Sequence, residues 1–172
     1  MVSAEAHALE HSLEVHLPFL QTVLAQFTLV PLAVGHASAE EVAAVLEVLW
    51  GGPETLIVVS SDLSHYLGYA QAQGIDRATC EAILALRTDI DHEQACGATP
   101  VTGLTLAARR KGLTPELVDL RNSGDTAGDR SRVVGYASFA FYETNDMNDL
   151  NDMNDTNDTR DSRRQAEADA KR

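Results

Sequence analysis

Basic residues are scarce in this chain. Lysine and arginine number 13 against 26 aspartates and glutamates, a formal net charge of −13 over 172 residues. A nucleic-acid binder needs a basic patch, so no nucleic-acid partner is expected. An anionic membrane surface also attracts positive charge, so no membrane partner is expected either. The two cysteines, Cys80 and Cys96, build no disulfide framework. No apolar run approaches the roughly 20 residues that span a bilayer. Glycine-rich P-loop and dinucleotide motifs are missing, which leaves nucleotide binding without support. The opening Met1-Val2-Ser3-Ala4-Glu5 lacks the basic and apolar regions of a secretory signal. A cytoplasmic protein with reduced thiols is expected.

What is present fits an ordinary globular domain, 44% hydrophobic and 23% charged, long enough for one sizeable core. Residues 10–26 carry a helical apolar pattern with Pro18 as an irregularity, so the helix starts late or bends there. Thr28 to Val34 reads as a strand, with Pro31 favouring an edge or bulge. Ser38 and Glu41 form a capping box for a helix that runs to Leu49 or Trp50. Thr55 to Ser60 is a β-branched run that suggests a strand buried on both faces. Helices follow over 70–87 and over Pro100 to Lys111. Thr99 is the expected N-cap of the second, and Gly112 its stop. Leu117 to Leu120 and Val133 to Tyr142 read as strands. This alternation predicts an α/β fold around a largely parallel or mixed sheet. Residues 144–172, with their Asn-Asp-X repeat, read as a disordered tail that leaves residues 1–143 as the domain.

Three places carry candidate chemistry. Glu10-His11-Ser12-Leu13-Glu14-Val15-His16 sets two histidines and two glutamates among residues that would bury a helix face, where unpaired polar groups are costly. Glu10, His11 and His16 are therefore candidate pocket residues. Ser60-Ser61-Asp62-Leu63-Ser64-His65 follows the expected buried strand, and strand carboxyl ends line ligand crevices in α/β sheets. Asp62 and His65 could form an acid/base pair there, the carboxylate fixing the imidazole tautomer. A serine triad from Ser61, Asp62 and His65 is disfavoured, since such close neighbours rarely converge. Cys96-Gly97 places a thiol just before a helix, where unpaired amides favour an anionic ligand atom. Cys80, among Ala78, Ala82 and Ile83, reads as a small buried hydrophobe. His36 and His92 read as surface residues. His7-Ala8-Leu9-Glu10-His11 fits the H-x-x-E-H pattern of inverted zinc peptidases, a less favoured alternative.

Four ordered segments resemble the Memo family, known in bacteria as AmmeMemoRadiSam system protein B. They are EHSLEVHLPFLQ, SSDLSH, the Cys96-Gly97 pair followed by Pro100-x-x-Gly103, and the final GYASFAFY. That family is distantly similar to class III extradiol dioxygenases. The resemblance implies a three-layer α/β sandwich and a non-haem iron or copper ion held by two histidines and a cysteine. It makes Cys96 the ligand, with Asp62 and His65 as the catalytic acid/base element beside it. It also implies a much longer protein, whose histidine ligands precede the EHSLEVHLP segment. The chain accordingly reads as the C-terminal half of the fold, with an incomplete sheet and an exposed strand edge able to self-associate. Two functions follow from the resemblance: a metal-dependent, dioxygenase-like oxidoreductase, or a non-catalytic assembly protein working with radical-SAM and AMMECR1-like proteins.

Overall fold

The capping box at Ser38 forms as expected. Ser38 Oγ accepts the Glu41 amide at 3.2 Å, and Glu41 Oε2 accepts the Ser38 amide at 2.8 Å. Such a cap contributes about 1 kcal/mol to a helix. It opens the first long helix of a computed structural model that describes residues 3–143. The expected disordered tail lies outside the described residues.

The elements in order are α1 (Ala4–His7), a 3-10 turn (Glu14–His16), α2 (Leu17–Val23), α3 (Ala39–Leu49), β1 (His65–Leu67), α4 (Tyr69–Leu84), α5 (Ala98–Lys111), β2 (Thr114–Asn122), α6 (Ser123–Thr126) and β3 (Val133–Tyr142). The mixed helix and strand character predicted from the pattern is present. Where a largely parallel or mixed sheet was expected, the three strands, in the order β1-β3-β2, pair antiparallel. β2 and β3 pair from Thr114↔Tyr142 to Asn122↔Gly135, with a bulge at Val118. Only a short connection with α6 separates them, which suits an antiparallel pair and not a parallel crossover.

Two apolar clusters hold the domain. Ala82, Ile83, Ile90, Ala95 and Ala98 pack with Val101, Phe139 and Phe141, joining α4, the start of α5 and β3. Ala43, Leu106 and Ala107 pack with Ala39 and Trp50, joining α3 to α5. Gly103 makes the second contact close, because a Cβ there would lie 2.2 Å from Val42 Cγ1. Arg110 on α5 ties Glu40 and Glu47 on α3, and Lys111 lies over the Trp50 ring at 4.6 Å. Gly112 adopts the left-handed conformation (φ 70°) that ends α5.

Several local expectations are corrected. The helix expected over 10–26 is shorter, and Pro18 falls in the first turn of α2, where its missing N–H costs nothing. α5 starts earlier than Thr99: Gly97 is its N-cap and Pro100 is the third helical residue. The strands expected at Thr28 to Val34 and Thr55 to Ser60 are irregular in this structure. The run read as buried on both faces is instead open, with Leu56 70% exposed. A β-branched run becomes a strand only beside a neighbour that completes its hydrogen-bond ladder, and neither run has one among the described residues. The first buried residue along the described chain is Val42.

A candidate metal centre at Asp62, His65 and Cys96

Two loops meet edge to edge. The segment before β1 brings Ser61 and Asp62, and the turn before α5 brings Cys96 and Gly97. Cys96 N–H donates to the Asp62 carbonyl at 3.2 Å, and Asp62 N–H donates to Cys96 Sγ at 3.2 Å. Ser61 Oγ donates to the Asp62 carbonyl at 2.7 Å and accepts the Gly97 amide at 2.9 Å. Ser61 Oγ also lies 3.8 Å from Cys96 Sγ. Gly97 has to be glycine for this approach, since a Cβ would sit 2.8 Å from the Ser60 carbonyl oxygen and from Ser61 Cβ.

The Cys96 loop is built locally as well. Asp91 Oδ1 accepts the amides of Glu93 (2.9 Å) and Gln94 (3.0 Å), which curls the chain into a turn. His92 Nδ1 lies 3.1 Å from the Cys96 carbonyl oxygen, and its Nε2 lies 3.3 Å from Thr99 Oγ1. His92 is exposed, as expected, yet it braces the turn that carries the thiol.

On the other side, His65 opens β1, and its Nε2 lies 3.4 Å from Asp62 Oδ2. That separation exceeds an ordinary N–H···O bond and the pair is partly exposed, so it contributes little stability. The next residue, Tyr66, holds a positive φ of 59°. A non-glycine residue there is strained, and such strain often adjoins functional groups. Arg132 covers the Tyr66 ring at 4.9 Å.

Asp62, His65 and Cys96 each offer one ligand atom, and these atoms lie within 4.8 Å of one another. Donors about 2.0–2.3 Å from one ion lie within about 4.6 Å of each other, so small side-chain rotations would close the group on a metal. A thiolate with an imidazole and a carboxylate suits zinc, iron or copper better than calcium or magnesium. Of these three donors the resemblance implies only Cys96 as a ligand, and a thiolate there is chemistry that iron or copper accepts.

Glu10, His11 and His16 are not part of this group. Glu10 accepts the Ser12 amide at 2.8 Å, and that bond holds its carboxyl below the usual carboxylate range. His7 ends α1 while Glu10 and His11 lie beyond it, so the H-x-x-E-H residues do not share one helix face. The expected buried strand before Asp62 is replaced by irregular chain, so a strand terminus does not position the carboxylate. The neighbouring loop does so instead. No helix among the described residues is long and apolar enough to cross a membrane.

A small domain of mixed helix and strand thus brings a carboxylate, an imidazole and a thiol to one loop junction. The Memo-like protein family profile matches residues 1–140, and the chain belongs to that family. A MEMO1 family protein of Archaeoglobus fulgidus is 35% identical over 148 residues, covering 79% of this chain and 56% of the relative. A second, from Methanopyrus kandleri, is 35% identical over 150 residues, covering 79% and 53%. A third, from Aquifex aeolicus, is 36% identical over 148 residues, covering 79% and 55%. The chain thus spans about half the length of these relatives.

Proposed function

We propose that this Memo-family chain binds a transition-metal ion through Cys96, beside the Asp62–His65 pair, as part of a dioxygenase-like oxidoreductase. The observation that carries the reading is that the Asp62 and His65 side chains and the Cys96 thiol lie with their polar atoms within 4.8 Å of one another. Iron or copper held there would supply one-electron redox chemistry. The chain's own residues orient and move protons. With its proton on Nε2, His65 faces the Asp62 carboxylate and keeps Nδ1 as the basic atom. Asp62 then stabilises the imidazolium that forms when Nδ1 takes a proton. The Asp62 amide directed at Cys96 Sγ fixes where the sulfur's lone pairs lie.

The test is anaerobic titration of the chain with cobalt(II), iron(II) or copper(I), with Cys96→Ser alongside. Cobalt gives a thiolate charge-transfer band when sulfur ligates. A near-stoichiometric band that is lost in a folded Cys96→Ser variant supports the site. A folded chain that gives no band rejects it.

A second reading is an assembly role, favoured by the exposure of apolar residues. Phe19 is 74% exposed, Val23 75% and Leu56 70%, with Leu29, Val30 and Val58 open as well. Exposed apolar area of this extent marks interaction surfaces. The partners proposed are radical-SAM and AMMECR1-like proteins. Co-purification of the folded chain with either supports the assembly role, and failure to capture them rejects it.

A further inference from the structure

Asp76 is the one charged side chain buried among the described residues, at 2% exposure. It lies on α4, outside the group formed by Asp62, His65 and Cys96. Removing a carboxylate from water is costly unless hydrogen bonds replace the hydration. Its Oδ1 accepts the Ser64 amide at 3.0 Å. Its carboxylate also occupies the space over Gly135, where a Cβ would lie 2.1 Å from Asp76 Oδ2. The same glycine grips the loop from β3: Leu63 N–H donates to the Gly135 carbonyl and Gly135 N–H donates to the Ser64 carbonyl, each at 2.9 Å. Leu63 and Ser64 are the two residues between Asp62 and His65, and both are buried. A second unfavourable group belongs to the same loop, for Ser64 Oγ is buried without a hydrogen-bond partner among the described residues.

Two buried polar groups in one spot are a poor way to stabilise a small domain. They are a good way to hold one loop in one place. We infer that Asp76 is the positioning residue of the ligand group: through the Ser64 amide it sets Asp62 and His65 against Cys96, and Gly135 lacks a side chain to admit it. The role deepens the metal-binding reading and rests on it.

The test compares the full metal-free chain with Asp76→Ala and Asp76→Asn by amide hydrogen exchange, then titrates each with cobalt(II). In Asp76→Ala the amides of Asp62, Ser64 and Gly135 should exchange about tenfold faster, with those of α3 and α5 unchanged. Cobalt affinity should fall by about tenfold or more. Asp76→Asn keeps an acceptor oxygen and should recover most of both. If Asp76→Ala does not fold, Asp76→Ser, too short to reach the Ser64 amide, should give the same pattern. Uniform loosening of the whole domain, no change in exchange, or cobalt affinity untouched in a locally loosened loop would each overturn the inference. A wild-type chain that takes up no cobalt sinks the metal reading, and the exchange pattern then decides the positioning role alone.

Discussion

Asp62 and Cys96, 34 residues apart, exchange hydrogen bonds: the Cys96 amide donates to the Asp62 carbonyl, and the Asp62 amide donates to the Cys96 sulfur, both at 3.2 Å. This reciprocal pair makes the two loops one unit, so the backbone that carries the carboxylate and the residue that carries the thiol are held together. Ser61 and Gly97 extend the seam by one more bond. The geometry of the ligand group is therefore a property of the seam more than of any single side chain.

Gly97→Ala tests the seam without touching a proposed ligand. The added Cβ would lie 2.8 Å from the Ser60 carbonyl oxygen, which is backbone and must move with its loop. Gly97 itself has an ordinary negative φ, so backbone strain does not confuse the result. Cobalt(II) affinity should drop about tenfold, the size of effect expected when support around a metal site is disturbed. Helical circular dichroism should hold. An unchanged affinity would mean that the loops tolerate separation and that the seam does not set the site.

Gly103→Ala probes the α3–α5 contact in the same way. Alanine gains about 1 kcal/mol in helix propensity over glycine. Against that, its Cβ would fall 2.2 Å from Val42 Cγ1, an overlap that pushes the helices apart. Overpacking of this kind costs about 1–3 kcal/mol, so the balance should be destabilising by up to about 2 kcal/mol. Urea denaturation measures it directly. A more stable variant would show that α3 slides on α5 at little cost.

How much of this could be read from the chain divides along local and non-local lines. The Ser38–Glu41 box and the Gly112 stop are local chemistry, complete within a few residues, and both form. Asp62, His65 and Cys96 were singled out by motif and lie together. Thr28 to Val34 and Thr55 to Ser60 carry strand composition, but composition does not supply a neighbour. Their apolar side chains are exposed, since no strand pairs with either run among the described residues. Asp76 passed unnoticed because an aspartate between Ile75 and Arg77 looks like part of a solvated helix face. A signal was there: Asp76 shares the helical face of Ala72, Thr79, Cys80 and Ile83, all of them buried.

The two cysteines should separate cleanly by reactivity. Cys80 is buried, and that burial, with the charges of Asp76 and Glu81, pushes its thiol from 9.0 up to about 11. Cys96 is exposed. At pH 8, iodoacetamide should label Cys96 in the folded chain and leave Cys80 untouched until denaturant is added, as read by peptide mass spectrometry. Below pH 9 both the folded and the unfolded thiol keep their proton, and the favourable contribution is complete. Between about pH 9 and 11 the unfolded thiol ionises while the folded one resists, so stability falls as pH rises. The Cys80→Ala variant should show a shallower decline across that window than the native chain. Parallel curves would mean that Cys80 ionises as easily folded as unfolded.

β3 is paired unevenly, and that bears on association. On one side β2 covers it along nearly its whole length, from Gly135 to Tyr142. On the other, β1 reaches only Val133 and Val134, and the Leu63–Ser64 loop extends the cover to Gly135. The β3 backbone beyond Gly135 is left without a strand on that side among the described residues, and such an edge invites another chain. The protein should elute from size-exclusion columns as a species larger than a monomer, with the fraction rising with concentration. Tyr136, 40% exposed at the start of the open stretch, offers a way to block the edge, since a charged residue there resists strand pairing. Tyr136→Lys should shift the chain toward monomer. Phe19→Ser with Val23→Ser removes exposed apolar surface without altering the edge, and should leave association largely intact. The reverse result, a monomer only when Phe19 and Val23 are replaced, would assign the contact to α2 and not to the sheet.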